Sequence, residues 1–318
     1  MHIPDGFLDT KTVIATTTLS LVGVAAAWQQ TKRTIEPRRI PLLGVTAAFV
    51  FAAQMLNFPI AGGTSGHLMG AVLSSVLLGP AASIIIITSV LVVQCFLFAD
   101  GGVLSLGANV FNMAILGSIA GNIFYQGVYH FIGGERGRII AVAIASWCSV
   151  VLASICCAGE LAWSGVTSWQ LAFPAMAGIH AIIGGGEALI TCLVIIAIRK
   201  TRPELLGYTS VDGASRSFGA IVVYGLIVAI GLVLFVSPFA SQWPDGLERV
   251  AMSLGFDQKA IQNSAASGRI PDQFHGLDSP AATVIGGIGG ISVVFLFVYV
   301  LSRGFGRKTA RTHSPPNN

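Results

Sequence analysis

The chain opens Met1-His2, and the order of those two residues has a chemical consequence. A free Met-His start carries three nitrogens in sequence: the α-amine of Met1, the backbone amide of His2 and an imidazole nitrogen of His2. Together they close two fused chelate rings around one ion. The amide must lose its proton, which only a strongly polarising cation drives, and a planar nitrogen set suits Ni(II) or Cu(II) better than tetrahedral Zn(II). Three donors leave one corner open. A dipeptide is a weak signal by itself, and an incidental histidine at position 2 is the better reading of it until a fourth donor is found on the same side. Six histidines are present, His2, His67, His130, His180, His275 and His313. His67 stands in AGGTSGHLMGA, where glycines and hydroxyls allow close approach to an ion.

Whether His67 can meet Met1 depends on the elements that carry them. With 53% hydrophobic and 10% charged residues, and a mean hydropathy of +0.77, the chain is an integral membrane protein. Soluble domains carry roughly 25% charge. Long unbroken apolar runs exclude a β-barrel, whose strands alternate. Hydropathy predicts an all-α bundle of about nine spans, at 11–29, 40–57, 67–79, 81–98, 106–131, 138–157, 173–198, 217–236 and 282–302. The third is short and ends at Gly79-Pro80, so a partial or bent span is expected there.

The loops orient the bundle. Lys32, Arg33, Arg38 and Arg39 follow the first span, Arg136 and Arg138 the fifth. Arg199, Lys200, Arg202 and Arg216 follow the seventh, and Arg303, Arg307, Lys308 and Arg311 the ninth. Nine spans put all fourteen on one side, out of 18 basic residues, and that side is cytoplasmic by the positive-inside rule. The amino terminus is then outside and the carboxyl terminus inside. Asp5 and Asp9 ahead of the first span give the wrong charge balance for a signal peptide. A bulky second residue disfavours methionine removal, so the mature chain is expected to begin at Met1. His67 emerges on the same side, whereas His130 and His313 fall on the other.

Polar residues at membrane depth each require a reason. Gln94 and Asp100 lie at the outer end of the fourth span, and Asn109 and Asn112 open the fifth. By depth, Thr64, Ser65, Gln94 and Asn109 are candidates to orient the imidazoles. His180 and Glu187, two turns apart on the seventh span, share one helical face. Asn112 and Glu187 are better read as bonds between helices. The five cysteines all fall in apolar runs and are read as small buried hydrophobes. The small-residue pairs Gly117/Gly121 and Gly286/Gly290 could seat a partner helix, internal packing being the simpler use.

Taken together, MHIPDGFL, NFPIAGGTSGHLMGAVLSSVLLGP, QCFLFADGGVLSLGANVFNMA and HAIIGGGEALIT resemble the CbiM/NikM family. These are substrate-specific membrane components of energy-coupling-factor transporters for cobalt and nickel. The resemblance covers about residues 1–200 and implies a seven-helix bundle in which Met1, His2 and His67 hold the ion. It also implies Ni2+ or Co2+ as the transported ligand rather than a cofactor, and as partners a transmembrane coupling subunit and cytoplasmic ATPase subunits. Further on, SQWPDGLERVA looks like a PDGLE domain, similar to the small auxiliary subunit of such transporters; alone, Pro244-Asp245-Gly246 is ordinary turn chemistry. The expected layout is a metal-binding domain over 1–200, a basic cytoplasmic linker over 201–216, and a two-helix PDGLE-like part over 217–318. The chain holds no GxxxxGK[ST] and no HExxH, which speaks against ATP hydrolysis or zinc proteolysis by this chain. A metal sensor and a stand-alone permease are the competing readings.

Overall fold

The computed structural model describes residues 1–206, 218–260 and 280–304. Most of the expected linker, the loop residues 261–279 with His275, and the tail with His313 lie outside the described residues. The chain forms α1 (Thr10–Thr34), α2 (Ile40–Gln54), a hairpin of β1 (Phe58–Ile60) and β2 (Thr64–Gly66), α3 (Ala71–Leu78) and α4 (Pro80–Phe98). It continues through α5 (Leu106–Ile132), α6 (Gly134–Trp163), α7 (Trp169–Thr201), α8 (Phe218–Phe235), α9 (Gly246–Leu254) and α10 (Pro280–Arg303).

Seven helices among the described residues are long and apolar enough to cross a membrane: α1, α4, α5, α6, α7, α8 and α10. Two expected spans are shorter. α2 has 15 residues, and α3 has eight, about 12 Å of helix at 1.5 Å per residue. The third apolar run therefore does not form one helix. Residues 67–70 precede α3 as non-helical backbone, and Gly79 separates α3 from α4. Such backbone at depth is tolerated only where protein groups satisfy it. Glu187 on α7 does so, its carboxylate accepting from Met69 N (2.5 Å) and Gly70 N (3.0 Å). Gln54 Nε2 donates to Met69 O (2.9 Å). Glu187 thus binds a neighbouring segment, as the sequence suggested, and Asn112 does likewise by donating to Glu160 Oε2 (2.7 Å).

α6 packs along α7 and α5, and α4 sits against α1, α2 and α3. The last two long helices, α8 and α10, pack chiefly on α2. The small-residue faces serve this internal packing. Gly117 faces Met69 and Ala71, Gly121 faces Val72, and Gly290 abuts the rings of Phe51 and Phe98. α5 is continuous but opens to π geometry over Val110–Leu116, the stretch that carries Asn112 and Met113. Extra width of this kind inside a helix often marks a functional region.

Candidate metal centre

The first nine residues form an arm folded into one end of the bundle. Met1, His2, Ile3, Asp5 and Phe7 are all buried, Ile3 completely. Burying one such aliphatic side chain contributes roughly 1.5–3 kcal/mol. The arm's backbone is paired at Ile3 and Pro4, the latter's carbonyl accepting from Ser105 Oγ (3.1 Å). Asn109 Oδ1 accepts from Ile3 N (2.8 Å), Asn109 Nδ2 donates to Ile3 O (3.1 Å), and Gly102 N donates to the same carbonyl (2.9 Å). Asp5 accepts from three successive amides, Val103 N (3.1 Å), Leu104 N (2.9 Å) and Ser105 N (3.1 Å), just ahead of α5. An anion at that position suits the unpaired amides and the positive end of the helix. Asp5 approaches so closely that a Cβ on Gly102 would lie 2.0 Å from its Oδ1, which is why glycine stands there. Asp9 then caps α1, accepting from Thr12 N (3.0 Å) and Thr12 Oγ1 (2.6 Å).

This docking delivers Met1 to His67. The Met1 ammonium donates to His67 Nε2 at 3.0 Å, while His67 Nδ1–H donates to Leu68 O (3.1 Å), leaving Nε2 as the lone-pair nitrogen. The rings of His2 and His67 stack with centroids 5.1 Å apart and an angle of 23°. His2 Nδ1 lies 3.1 Å from Asp100 Oδ1. Burial, reinforced by the Met1 positive charge, pushes the His2 imidazole down to about 3, against the opposing pull of Asp245. His2 is therefore neutral above that pH, and one of its two ring nitrogens keeps a free lone pair. Four nitrogens, the Met1 amine, the His2 amide and imidazole, and the His67 imidazole, lie together. Among the described residues no three His, Cys, Asp or Glu side chains form such a cluster, so the count depends on main-chain nitrogens.

The residues expected to orient the imidazoles separate on inspection. Gln94 is buried beside His2, and neither its amide nor His2 Nε2 has a partner at ordinary hydrogen-bonding geometry. Asn109 holds the arm backbone instead of a ring, because Ile3 brings a buried N–H and C=O that require partners. Thr64 pairs with Ile60 in the hairpin. Ser65 is engaged elsewhere: its N donates to Pro244 O (2.9 Å) and its Oγ to Trp243 O (2.7 Å).

That contact belongs to a feature the sequence reading undervalued. Pro244-Asp245-Gly246 is more than a surface turn. Asp245 caps α9 in a reciprocal capping box with Glu248, and its Oδ2 accepts from the Met1 ammonium at 2.6 Å. Burial alone would raise the Asp245 carboxyl. The Met1 charge and its hydrogen bond outweigh that and, with Glu248 N, hold it well below the usual carboxylate range. Phe256 packs edge-on against Phe7 of the arm, and Ser241 N donates to Asn57 O (2.7 Å). The signal available in the sequence was one of side: the spans placed the loop after α8 at the same end as Met1. Asp100 carried the same signal.

Beneath the amine lies a small cavity of about 20 Å³, bordered by Met1, His67, Asp245, Met113, Val150 and His180 among others. That is room for about one water-sized occupant.

Comparison with known proteins gives the family. Residues 2–205 match the family described as the cobalt uptake substrate-specific transmembrane region, CbiM, and residues 219–307 match the PDGLE domain. The chain is 35% identical to a putative fused nickel transport protein, NikMN, of Archaeoglobus fulgidus, over 95% of this chain and 98% of that one. It is 32% identical to the fused nickel transport protein NikMN of Rhodobacter capsulatus, over 72% of this chain and 73% of that one. A crystal structure of a truncated transition metal transporter superposes with a TM-score of 0.58 at 31% identity, covering 63% of this chain and 99% of that one. A matched family region, a second matched domain behind it and a set of transport-protein relatives all point one way: the chain belongs to the CbiM family of nickel and cobalt transport proteins, is a multi-pass membrane protein, and carries a fused PDGLE domain.

Proposed function

We propose that this chain is the substrate-binding component of an ATP-driven nickel or cobalt importer of the energy-coupling-factor type, seated in the plasma membrane. The ion is held by the Met1 amine, the deprotonated amide and an imidazole nitrogen of His2, and His67 Nε2. A planar set of four nitrogens favours nickel over cobalt. In this reading the amino terminus faces outside and the carboxyl terminus the cytoplasm. The nine expected crossings include a third made of non-helical residues 67–70 followed by α3. Residues 1–200 form the metal-binding part, 201–216 a cytoplasmic linker and 217–318 the PDGLE-like part. A coupling subunit and ATPase subunits supply the energy.

The observation that carries the reading is the 3.0 Å approach of the Met1 amine to His67 Nε2, with the His2 ring stacked beside them. The ion arrives largely dehydrated, nitrogens replacing water, and binding displaces protons from the amine and the amide. Affinity is therefore expected to fall as pH drops. The direct test is nickel titration of the purified protein with two residues added ahead of Met1, or with Met1 acetylated. Binding is expected to fall at least a hundredfold while the melting temperature holds, and His67→Ala is expected to do the same. Undiminished binding by the blocked protein would refute the ligand set.

A further inference from the structure

His180 is buried on α7, 1% exposed, and its two ring nitrogens are treated differently. Nδ1–H donates to Met176 O at 2.8 Å, which fixes the tautomer and leaves the lone pair on Nε2. That Nε2 has no hydrogen-bond partner. A buried acceptor left without a partner is costly, all the more in a membrane protein. It borders the same cavity as Met1, His67 and Asp245. Val150 and Ile183, at the middle of α6 and α7, border it as well, so the cavity lies between the arm and the mid-portions of these two helices. Gly246 at the tip of the PDGLE part lies against this edge of the ring. A Cβ there would sit 2.8 Å from His180 Cε1 and 2.9 Å from Nε2. The tip thus packs against His180 from the arm end without giving Nε2 a hydrogen-bond partner.

We propose that His180 Nε2 is the next ligand on the way inward: a divalent nickel or cobalt ion leaving the Met1–His2–His67 set crosses the cavity and is taken by His180. This rests on the reading of Met1, His2 and His67 as the holding set. The chemistry is suitable, because a neutral imidazole lone pair is a good donor to these ions and one nitrogen holds them more weakly than a chelating four. A dehydrated ion moving through a space of about 20 Å³ requires a donor within it, and His180 offers an unengaged one. Met69 and Met113 also border the cavity and bring thioether sulfurs to the same region.

The test separates holding from moving. The full chain is assembled in vesicles with its coupling and ATPase subunits, and labelled nickel uptake is measured beside equilibrium nickel binding by the purified chain. In His180→Ser, affinity is expected to stay within twofold of the parent while ATP-driven uptake falls at least tenfold. His180→Cys, of similar size but with a metal donor, is expected to retain several times the uptake of the serine variant. Unchanged uptake in His180→Ser, loss of affinity in step with uptake, or equal uptake in the cysteine and serine variants would each overturn the proposal. Should the serine variant fail to purify, Gly246→Ala crowds Nε2 while keeping the histidine itself. The same split is expected there, and its absence overturns the proposal. Failure of the holding set itself would show separately, as undiminished binding by the protein blocked at Met1.

Discussion

Residues 1–9 and residues 241–256 reach the same point, the Met1 amine, and are secured in different ways. The arm is held along its backbone by Asn109, Gly102 and the amides that Asp5 receives, with Ile3 and Phe7 buried behind them. The PDGLE tip is held by bonds to Ser65 and Asn57, by one ion pair from Asp245 to the amine, and by the buried Leu247, Val250, Ala251 and Phe256, the last against Phe7. Many distributed bonds fix the geometry of the arm, as the proposed ligand role requires. The tip instead carries one charged contact, from Asp245 to the amine, on top of an apolar face. In this arrangement the arm builds the site and the tip covers it.

That contrast can be broken at several points. The largest effect is expected from Asp5→Ala, which removes three charge-assisted bonds, each contributing roughly 1.5–3 kcal/mol, and leaves buried amides unpaired. The arm should undock, nickel affinity should fall by at least tenfold, and amide exchange at residues 3–7 should rise sharply. Slow exchange in the variant would mean that the arm is held by its apolar residues alone.

Next is Asp245→Ala, which strips the α9 cap, worth about 1 kcal/mol, together with the ion pair. Removing one partner of a buried pair costs on the order of 3–5 kcal/mol, and Asp245 is 15% exposed, so a smaller figure is expected. Exchange or proteolysis in residues 246–254 should increase while residues 3–5 remain protected. Asp245→Asn keeps a capping oxygen and should free the tip less. Loosening of arm and tip together would dissolve the distinction between them.

A pH series sharpens it further. His2 in the folded arm titrates near 3, below its ordinary 6.5, so the undocked arm binds a proton first as pH falls. Docking is thus fully favoured above about 6.5 and weakens progressively toward 3, by up to a few kcal/mol. Protection factors of the arm amides, corrected for the intrinsic pH dependence of exchange, should fall at least tenfold from pH 7 to pH 4.5 in the parent and much less in His2→Ala. The smallest effect is expected from Ser65→Ala, about 1 kcal/mol at the tip with nickel affinity unchanged within twofold. His130→Ala, exposed on α5 far from the arm in sequence, should change nothing measurable in a binding assay.

Much of this was legible beforehand. The apolar runs located every long helix because in lipid the backbone must satisfy itself, which leaves helices as the solution for such segments. Glu187 and Asn112 read correctly as interhelical bonds, since a polar group at depth must find a neighbour. What failed was the detail of polar pairing. Ser65 and Asn109 have the chemistry to orient an imidazole, but nearby main-chain groups claimed them. The third run was apolar enough for a helix, yet the Glu187 carboxylate holds its start as open backbone.

The residue types alone settled the class of molecule, a multi-pass membrane protein, and pointed to Met1, His2 and His67 as a nitrogen-rich candidate set. Only the folded chain decided which of those groups meet, because contacts across 66 and 244 positions, Met1 to His67 and to Asp245, arise from helix packing and not from local pattern. A carboxylate in a turn looks the same in sequence whether it faces water or an amine; its partner is fixed by where the surrounding helices bring the backbone.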